Sequence, residues 1–535
     1  MQFEADDGEG FSPRLLSDLA ARAAARWPDR TAVAGSGRTV TFAALRGAAD
    51  AAAHALRQAG ITRGDRVVVA CEDAASTLAL LLATAALGAV HIPADPQLPA
   101  FAAAHLLTDA APACVVAEGT APLAAAARDR HTPVRDLRPF DLPGSVDLPG
   151  SLDLPGSLDL PGPFDLPGPP GGPSRPHPGP GAPIPSDPVS ILYTSGSTGR
   201  PKGVVSTHAG VLFCVRAIAR RLRLRPGDVI GCVLPLTFDY GLYQLYLGLY
   251  SGAAVAVGHG VDAGPGLLRF LLRHEVTVLP SVAGLTWSLC RLAERQRDRP
   301  PLRLLTNTGA ALSPPLAGRV KEAFPGIDVV AMYGLTECKR VSMLLPEEWE
   351  QRPTSAGRPL DDTEVLVLCP RTGRVLPPGE EGELVVRGPH LMRGYWNDPG
   401  LTEQRLRRVG PAQETMLFTG DRGHLDADGY VYVSGRDDDL YKANGFRVSA
   451  AEVALAAEDV PGVEKAHCLP ARAERPARLA VVSGRPAEDI RRELAERIEW
   501  FKVPDHIHPL PALPLRRNGK TDTAALETLL TGGTA

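Results

Sequence analysis

The sequence lacks an excess of charge of either sign. Its 535 residues carry 57 Lys and Arg against 61 Asp and Glu, which gives a formal net charge of −4. Proteins bind phosphate backbones through a concentrated excess of Lys and Arg, so this balance argues against nucleic acid as the main partner. Hydrophobic residues at 44% and charged residues at 22% are close to the globular average, which argues against a disordered chain.

Export signals and long apolar runs are also lacking. The acidic start, MQFEADDGEGF, has no basic segment followed by an apolar one, so no secretory signal is predicted. Two uncharged runs, 74–94 and 240–261, approach the length that spans a bilayer, but Gly, His, Pro or Gln interrupt them. We predict that both runs are buried helix-plus-strand segments and that the chain has no membrane span.

Closely spaced cysteine pairs are absent as well. The eight cysteines are scattered along the chain and form no CxxC pair. This pattern fits neither a zinc cluster nor a disulfide scaffold. We therefore expect a reduced, cytoplasmic compartment.

Short apolar runs alternate with helical patterns along most of the chain. Residues 66–70 and 114–117 are β-branched runs, whereas residues 44–56 form an Ala/Leu-rich helical pattern. This alternation predicts an α/β fold. After Gly435 the sequence becomes charged and mixed in pattern. We predict a large, multi-subdomain N-terminal α/β part over 1–435 and a small, mobile α+β domain over 436–535.

Residues 136–187 differ in kind from the rest of the chain. The tetrapeptide DLPG recurs at 141, 147, 153, 159 and 165, and a tail rich in Pro and Gly follows. A Pro in every copy removes a backbone donor that a β-solenoid would need. The composition predicts a disordered or polyproline-like insertion that loops out from a surface rather than separating two domains.

The most informative segment is the run TSGSTGRPKG at 194–203, which follows an apolar strand pattern. Glycines allow a tight turn whose backbone N–H groups face an anion, hydroxyls add donors, and Lys202 adds charge. Because Lys202 is followed by Gly203 instead of Ser or Thr, the run does not match a Walker-type loop. The predicted phosphate loop comprises Thr194, Ser195, Gly196, Ser197, Thr198 and Gly199.

TSGSTGRPKG resembles the signature of the adenylate-forming superfamily, the AMP-dependent synthetases and ligases. This superfamily comprises acyl-CoA synthetases, adenylation domains of nonribosomal peptide synthetases, and luciferases. The resemblance extends over the chain outside the DLPG insertion, and further motifs follow in order: YGLTE at 333–337, TGD at 419–421, GRDD at 435–438, KANGFRV at 442–448 and NGK at 518–520. It implies an enzyme that uses ATP and Mg²⁺ to convert a carboxylic acid into an acyl-adenylate with release of pyrophosphate, and then transfers the acyl group to a thiol.

The resemblance also implies the nucleotide contacts. Tyr333 would stack on adenine, Thr336 would bond the α-phosphate, and Glu337 would hold Mg²⁺ through oxygen. Asp421 would bind the ribose hydroxyls, and Arg436 would reach ribose or phosphate. The turn expected along the adenine edge comprises Gly309, Ala310 and Ala311.

The motifs near the C-terminus are similar to those that carry catalysis and domain rotation. Lys520 matches the lysine that bridges the attacking carboxylate and the α-phosphate, a task that suits a point cation on a flexible stem. Asp438 matches the hinge about which the small domain is expected to rotate. After that rotation, Lys442 and Gly445 would line the tunnel for the thiol.

The acid pocket is expected between the phosphate loop and YGLTE. Asp239 lies where adenylation domains for α-amino acids carry an Asp that pairs with the substrate ammonium, but an Asp in a strand-to-helix turn can equally bond backbone. Arg340 could bind a second carboxylate of a diacid, although we expect it to point to solvent. The candidate substrate residues are Phe238, Asp239, Tyr240, Tyr243, Thr308, Met332 and Val341, with Trp287 and Thr306 nearby.

Tyr243 shares helical spacing with Tyr246 and Tyr250, which is more typical of core packing than of substrate contact. The sequence also leaves the identity of the acceptor thiol open. Free coenzyme A is the simpler acceptor, and the alternative is a stand-alone amino-acid adenylating enzyme that loads a separate carrier protein. A catalytically silent homologue is disfavoured because the residues matched to the catalytic motifs are all present.

Overall fold

A computed structural model of the chain describes residues 13–35, 38–98, 100–117, 121–136, 138–139, 181–195, 201–309, 311–436, 440–443, 446–471, 475–498, 502–516 and 519–531. The chain divides into two compact units. The first comprises Met1–Thr31 with Thr39–Val189, and the second comprises Ala32–Arg38 with Ser190–Ala535. The DLPG repeats lie outside the described residues.

Helices and strands alternate through the first part of the chain. Its elements are α1 (Leu16–Arg26), β1 (Thr31–Gly35), β2 (Arg38–Thr41), α2 (Phe42–Gln58), β3 (Arg66–Ala70), α3 (Ala74–Leu87), β4 (Val90–Pro93), α4 (Ala100–Ala110), β5 (Cys114–Ala117), α5 (Pro122–Asp129) and β6 (Val134–Arg135). Within the first unit, β4, β3, β5 and β6 pair in that order, and every pairing is parallel.

Helix α3 and strand β4 account for the first long uncharged run. The helix begins where the Asp73 carboxylate accepts a hydrogen bond from the Ser76 amide at 2.9 Å. It ends at Gly88, whose φ of 70° reverses the chain into β4. The helix is buried on almost every side, as expected for one that is apolar all round. The second uncharged run forms a helix and a strand in the same way.

The second unit continues the alternation. Its elements up to residue 359 are β7 (Pro188–Ser195), β8 (Pro201–Thr207), α6 (His208–Arg221), β9 (Val229–Cys232), α7 (Asp239–Ser251), β10 (Ala254–Val257), α8 (Leu267–Arg273), β11 (Val278–Ser281), α9 (Ala283–Arg295), β12 (Leu304–Asn307), α10 (Pro314–Ala323), β13 (Asp328–Tyr333), β14 (Ser342–Leu344) and β15 (Arg358–Pro359). Strands pair in the order β15-β14-β13-β12-β11-β9-β10-β1. The pairings from β13 to β1 are parallel, whereas β14 and β15 run antiparallel to their neighbours.

Strands dominate the rest of the chain. The elements are β16 (Glu364–Leu368), β17 (Gly382–Arg387), β18 (Gly394–Tyr395), α11 (Pro399–Arg405), β19 (Leu406–Val409), β20 (Glu414–Leu425), β21 (Val431–Arg436), β22 (Leu440–Ala443), β23 (Phe446–Ser449), α12 (Ala450–Glu458), β24 (Lys465–Leu469), β25 (Arg478–Val482), α13 (Ala487–Ala495), β26 (His506–Leu510) and α14 (Thr523–Thr531). Strands β16, β17, β20, β19 and β21 form an antiparallel sheet.

The C-terminal elements have a hydrophobic core of their own. Val448, Val453, Leu479 and Ile490 are almost fully buried in it, around the sheet β24-β25-β26. The predicted fold class, a large α/β part followed by a smaller C-terminal domain, is confirmed. The boundary between residues 435 and 436 stays a prediction. Among the described residues, every helix is too short or too polar to cross a bilayer.

All eight cysteines are free thiols. Cys71 and Cys369 are partly exposed, and the other six are buried.

Candidate active site

Several of the predicted site residues lie at one edge of the large sheet of the second unit. Strands β9, β11, β12 and β13 are parallel, so their carboxyl ends meet at the same edge. Residues 308–311 follow β12, and the loop 334–341 follows β13. Phe238 and Asp239 stand at the start of α7, after β9. Sequence order therefore places the nucleotide motifs and the expected acid pocket together.

The loop after β13 is tightly closed. The Val341 amide donates to the Tyr333 carbonyl at 2.8 Å, which brings the two ends of the loop together. A Cβ at Gly334 would lie 2.1 Å from the Lys339 carbonyl oxygen, so this close approach requires glycine. The Lys339 ammonium donates to the Thr336 carbonyl at 2.6 Å. This side chain therefore braces the turn that carries Thr336.

Tyr333 and Asp421 form a direct pair. The Tyr333 hydroxyl donates to the Asp421 Oδ2 at 2.6 Å. Burial and the adjacent carboxylate raise the pKa of Tyr333 well above its usual range, so its hydroxyl stays a donor. The backbone of Arg436 pairs with Asp421 between β20 and β21. Two residues predicted to hold adenine and ribose are thus in contact.

Glu337 lies in a charged cluster with Lys202 and Tyr395. The Tyr395 hydroxyl donates to Glu337 Oε1 at 2.6 Å and accepts from the Lys202 ammonium at 3.1 Å, and the Lys202–Glu337 ion pair is 3.3 Å long. Burial raises the pKa of Glu337, but the charge of Lys202 and the Tyr395 hydroxyl outweigh it, so the pKa lies below its ordinary value. The sequence prediction missed Tyr395, which no assigned motif contains.

Lys520 lies beside two other predicted site residues. Its ammonium is 5.7 Å from the centroid of the Phe238 ring. Its Cε is 3.5 Å from the position that a Cβ would take at Gly309, where φ is +85°. The Lys520 carbonyl accepts a hydrogen bond from the Arg516 amide at 2.8 Å. The predicted catalytic lysine is thus close to the turn after β12.

The structure contradicts the prediction that Arg340 points to solvent. Arg340 is only 6% exposed, and its Nη1 donates to the Thr308 hydroxyl at 2.7 Å. Its guanidinium carbon is 5.2 Å from the centroid of the Tyr240 ring. The Tyr240 hydroxyl is bonded to the Thr306 hydroxyl at 2.6 Å, which fixes the ring. Arg340 faces inward because its contacts come from β12 and α7, which are distant in sequence.

Asp239 has both a structural contact and charged neighbours. Its Oδ1 accepts a hydrogen bond from the Tyr240 amide at 2.8 Å. The charges of Lys339, Arg340 and Asp239 all act on the Cys214 thiol, whose pKa burial raises to about 12. Burial lowers the pKa of Lys339, and the charge of Asp239 opposes that effect. Asp239 thus lies near the buried side chains of Lys339 and Arg340.

The remaining predicted substrate residues are mostly packed in the core. Tyr243 and Tyr246 are buried on α7 with ring centroids 5.3 Å apart, as the helical spacing indicates. Val341 belongs to a hydrophobic cluster that includes Cys338 and Leu384. Met332 is buried on β13. Contact of these residues with a substrate stays a prediction.

Other predicted residues are placed by their backbone alone or fall outside the described ranges. Thr194 lies on β7, as does the backbone of Ser195. The backbones of Arg436 and Lys442 lie on β21 and β22. The predicted residues outside the described part of the chain are Gly196, Ser197, Thr198, Gly199, Ala310, Asp438 and Gly445.

Comparison with known proteins agrees with this fold. The family described as AMP-binding enzyme matches residues 20–396. The chain therefore belongs to the AMP-binding enzyme family.

Its relatives include thiol ligases and peptide synthetases. It is 32% identical over 527 residues to CymA of Salinispora arenicola, named as a probable nonribosomal peptide synthetase, and the match covers 96% of this chain. It is 29% identical over 541 residues to 4-coumarate–CoA ligase 2 of Oryza sativa subsp. japonica, covering 93% of this chain and 89% of that protein. The chain spans only 6% of CymA and 14% of a plipastatin synthase polypeptide of Bacillus subtilis.

A solved structure is also similar. The structure of VinN with L-aspartate is 29% identical in sequence, with a TM-score of 0.65. The match covers 79% of this chain and 98% of VinN.

Proposed function

We propose that this chain activates a carboxylic acid with ATP to form an acyl-adenylate and pyrophosphate, and then transfers the acyl group to a thiol. The observation that carries the proposal is the position of Lys520 beside Phe238 and Gly309, at the sheet edge that also carries the loop 334–341. Family membership supports the same chemistry.

The residues at this edge suit the first step. A carboxylate oxygen attacks the α-phosphorus and pyrophosphate leaves, so two anions must be held in line and the developing charge must be neutralised. Lys520 supplies a cation on a flexible stem, and Thr336 lies in a turn that Lys339 braces. The Tyr333–Asp421 pair would orient the nucleoside.

Glu337 fits a role in holding Mg²⁺. Its pKa lies below its ordinary value, so it presents an anionic oxygen ligand even though it is largely buried. Among the described residues, no group of three or more His, Cys, Asp or Glu is suited to a metal. Such a sparse donor set suits Mg²⁺, which proteins often bind through one carboxylate together with substrate phosphates. When bound, the ion neutralises phosphate charge.

Two acceptors are supported by different observations. The similarity to a 4-coumarate–CoA ligase over most of both chains favours coenzyme A. The similarity to CymA, and to VinN bound to L-aspartate, favours a stand-alone amino-acid adenylating enzyme that loads a separate carrier protein, with Asp239 pairing with the ammonium. For the second step, we propose rotation about Asp438 and a thiol path past Lys442 and Gly445.

The test is acid-dependent exchange of labelled pyrophosphate into ATP with a panel of fatty, aryl, amino and dicarboxylic acids. The wild type should catalyse exchange with at least one acid, and Lys520→Ala should reduce that exchange at least 100-fold. Lys321→Ala, an exposed lysine on α10, is the matched control and should leave exchange unchanged. Near wild-type exchange by Lys520→Ala would refute the assigned role. The acid that supports exchange is then supplied together with coenzyme A or with a phosphopantetheinylated carrier protein. The thiol that becomes acylated is the acceptor.

A further inference from the structure

Within the described part of the chain, Arg340 is a buried cation without an anionic partner. It is 6% exposed, and among the described residues no carboxylate forms an ion pair with it. Its Nη1 donates to the Thr308 hydroxyl, whereas its buried Nε has no hydrogen-bond partner within the described part of the chain. Burying an unpaired charge is unfavourable by several kcal/mol unless an anion compensates it. We therefore expect a negatively charged group other than the described side chains to bind the Arg340 guanidinium.

The guanidinium is held in a fixed position. It lies over the Tyr240 ring, and the Tyr240 hydroxyl is bonded to the Thr306 hydroxyl and accepts from the Ser281 amide at 3.3 Å. Thr308 fixes a second side of the guanidinium. A rigid guanidinium fork binds a carboxylate more tightly than a mobile one because less side-chain freedom is lost.

The neighbouring charges favour one further anion. Lys339 is 5% exposed and lies next to Arg340 in the chain. Both cations and Asp239 act on the same Cys214 thiol, so they share one neighbourhood. In this neighbourhood the two cations outnumber the one carboxylate, which favours a ligand with a further negative charge. Glu337, which also acts on Lys339, is already paired with Lys202.

Arg340 is close to the position expected for the reacting carboxylate. Lys520 faces the Phe238 ring, and Arg340 faces the Tyr240 ring. Phe238 and Tyr240 flank Asp239, so their Cα atoms are at most roughly 7 Å apart. Arg340 also donates to Thr308, and Lys520 lies against Gly309, the next residue, so both cations lie at the carboxyl end of β12. A dicarboxylic acid with a short spacer suits this arrangement.

We propose that the substrate is a short dicarboxylic acid, one carboxylate of which reacts with ATP while Arg340 binds the other. Lys339 adds positive charge to the same subsite. The inference rests on the proposed function and narrows the class of acid. An amine on the diacid is compatible with Asp239, and the assay below distinguishes diacids with and without one.

The experiment measures pyrophosphate exchange with acids matched in length. Succinate is compared with butyrate, and L-aspartate with L-asparagine, so that each pair differs in the second carboxylate. The wild type should have a kcat/KM at least 100-fold higher for one of the diacids than for its partner. A preference for L-aspartate over succinate would indicate that the enzyme also binds the substrate ammonium. A preference for succinate would indicate a diacid subsite without an ammonium contact. Either result supports the proposal.

Two variants of Arg340 test the subsite itself. Arg340→Met should reduce kcat/KM for the diacid at least 100-fold, mainly through KM, and leave the KM for ATP unchanged. Arg340→Lys should recover part of that loss, because charge returns without the fork geometry. In thermal unfolding, the diacid should raise the melting temperature of the wild type and fail to do so in Arg340→Met. Because the variant removes an unpaired buried charge, it is expected to fold.

The opposite results are distinct from failure of the proposed function. Exchange with monocarboxylic acids as fast as with their diacid partners would overturn the diacid subsite and leave the proposed activity intact. An equal loss for diacids and monoacids in Arg340→Met would also overturn it. Absence of exchange with every acid of the full panel would refute the proposed activity, and the diacid inference with it.

Discussion

The hydroxyl of Tyr395 offers a sharp test of how the charges proposed to bind MgATP are arranged. Tyr395→Phe removes one oxygen that donates to Glu337 at 2.6 Å and accepts from Lys202 at 3.1 Å. The ring itself is kept, including its contact with the Lys202 ammonium 4.5 Å from the centroid. The substitution therefore isolates the hydrogen bonds from the packing.

The expected loss follows from the contacts. A hydrogen bond to a charged group contributes about 1.5–3 kcal/mol. The Lys202 and Glu337 side chains are 21% and 12% exposed, so water replaces part of the lost bonding. We expect a net loss of about 1–2 kcal/mol, which corresponds to a roughly 5–30-fold lower kcat/KM for MgATP in the exchange reaction.

The pH dependence has a definite sign. The hydroxyl stabilises the ionised Glu337 carboxylate more than the protonated form, so its removal raises the pKa of Glu337. The acid limb of the activity profile should therefore move to higher pH in Tyr395→Phe. The measurement is the exchange rate against pH at saturating acid and subsaturating MgATP.

The matched control is Tyr430→Phe. The Tyr430 hydroxyl also donates to a glutamate, Glu348, at 2.7 Å, but neither residue belongs to the predicted site. This control should leave the pH profile in place. The predicted role of Tyr395 is refuted if Tyr395→Phe and the wild type have the same pH profile of exchange and the same dependence on MgATP. Tyr395 would then have no influence on the pKa of Glu337.

Two further predictions concern stability. Gly334→Ala should lower the free energy of unfolding by about 1–3 kcal/mol, because the new Cβ would lie 2.1 Å from the Lys339 carbonyl oxygen. It should also lower the rate of pyrophosphate exchange more than tenfold. Asp228→Asn should lower the free energy of unfolding by about 2–4 kcal/mol, because Asp228 is 2% exposed and accepts from Arg303 at 2.6 and 2.7 Å. Burial raises the pKa of Asp228, but Arg303, the Arg225 amide and Thr277 together hold it below its ordinary value. This contribution is therefore present at neutral pH and is lost as the pH falls through that lowered pKa.

Urea unfolding measures both effects, and each has an internal comparison. Gly318→Ala lies on α10 with nothing within 4 Å of the new Cβ, so it should be neutral or stabilising. Asp50→Asn breaks an exposed i,i+4 ion pair with Arg46 and should change stability by less than about 1 kcal/mol. Equal effects in a variant and its comparison would contradict the structural reason given for that variant.

Much of the fold was predictable because local patterns and tertiary packing agree. The runs 66–70 and 114–117 are strands with the predicted bounds. The uncharged runs form helix-plus-strand pairs because Gly88 and Gly252 end their helices with positive φ. Periodicity and glycine position are properties of nearby residues, so the sequence carries them directly.

The surroundings of the site were less predictable because distant residues form them. Arg340 lies just after the motif YGLTE, next to the charged Lys339. Such a charged stretch indicates exposure, yet contacts with Thr308 and Tyr240 bury Arg340. Tyr395 reaches Glu337 across 58 residues, through the pairing of β18 with β8 beside Lys202. No periodic pattern signals such contacts.

The uneven burial of the free thiols has a practical consequence. Hydrogen bonds from Thr372 and the neighbouring backbone lower the pKa of Cys369 to about 7, whereas burial raises the pKa of Cys114 to about 11 and that of Cys232 to about 12. The thiolate is the nucleophile that attacks alkylating reagents, so near neutral pH Cys369 should react far ahead of the buried cysteines. A fluorophore could be attached at the turn after β16 without removing the cysteines on which the core depends.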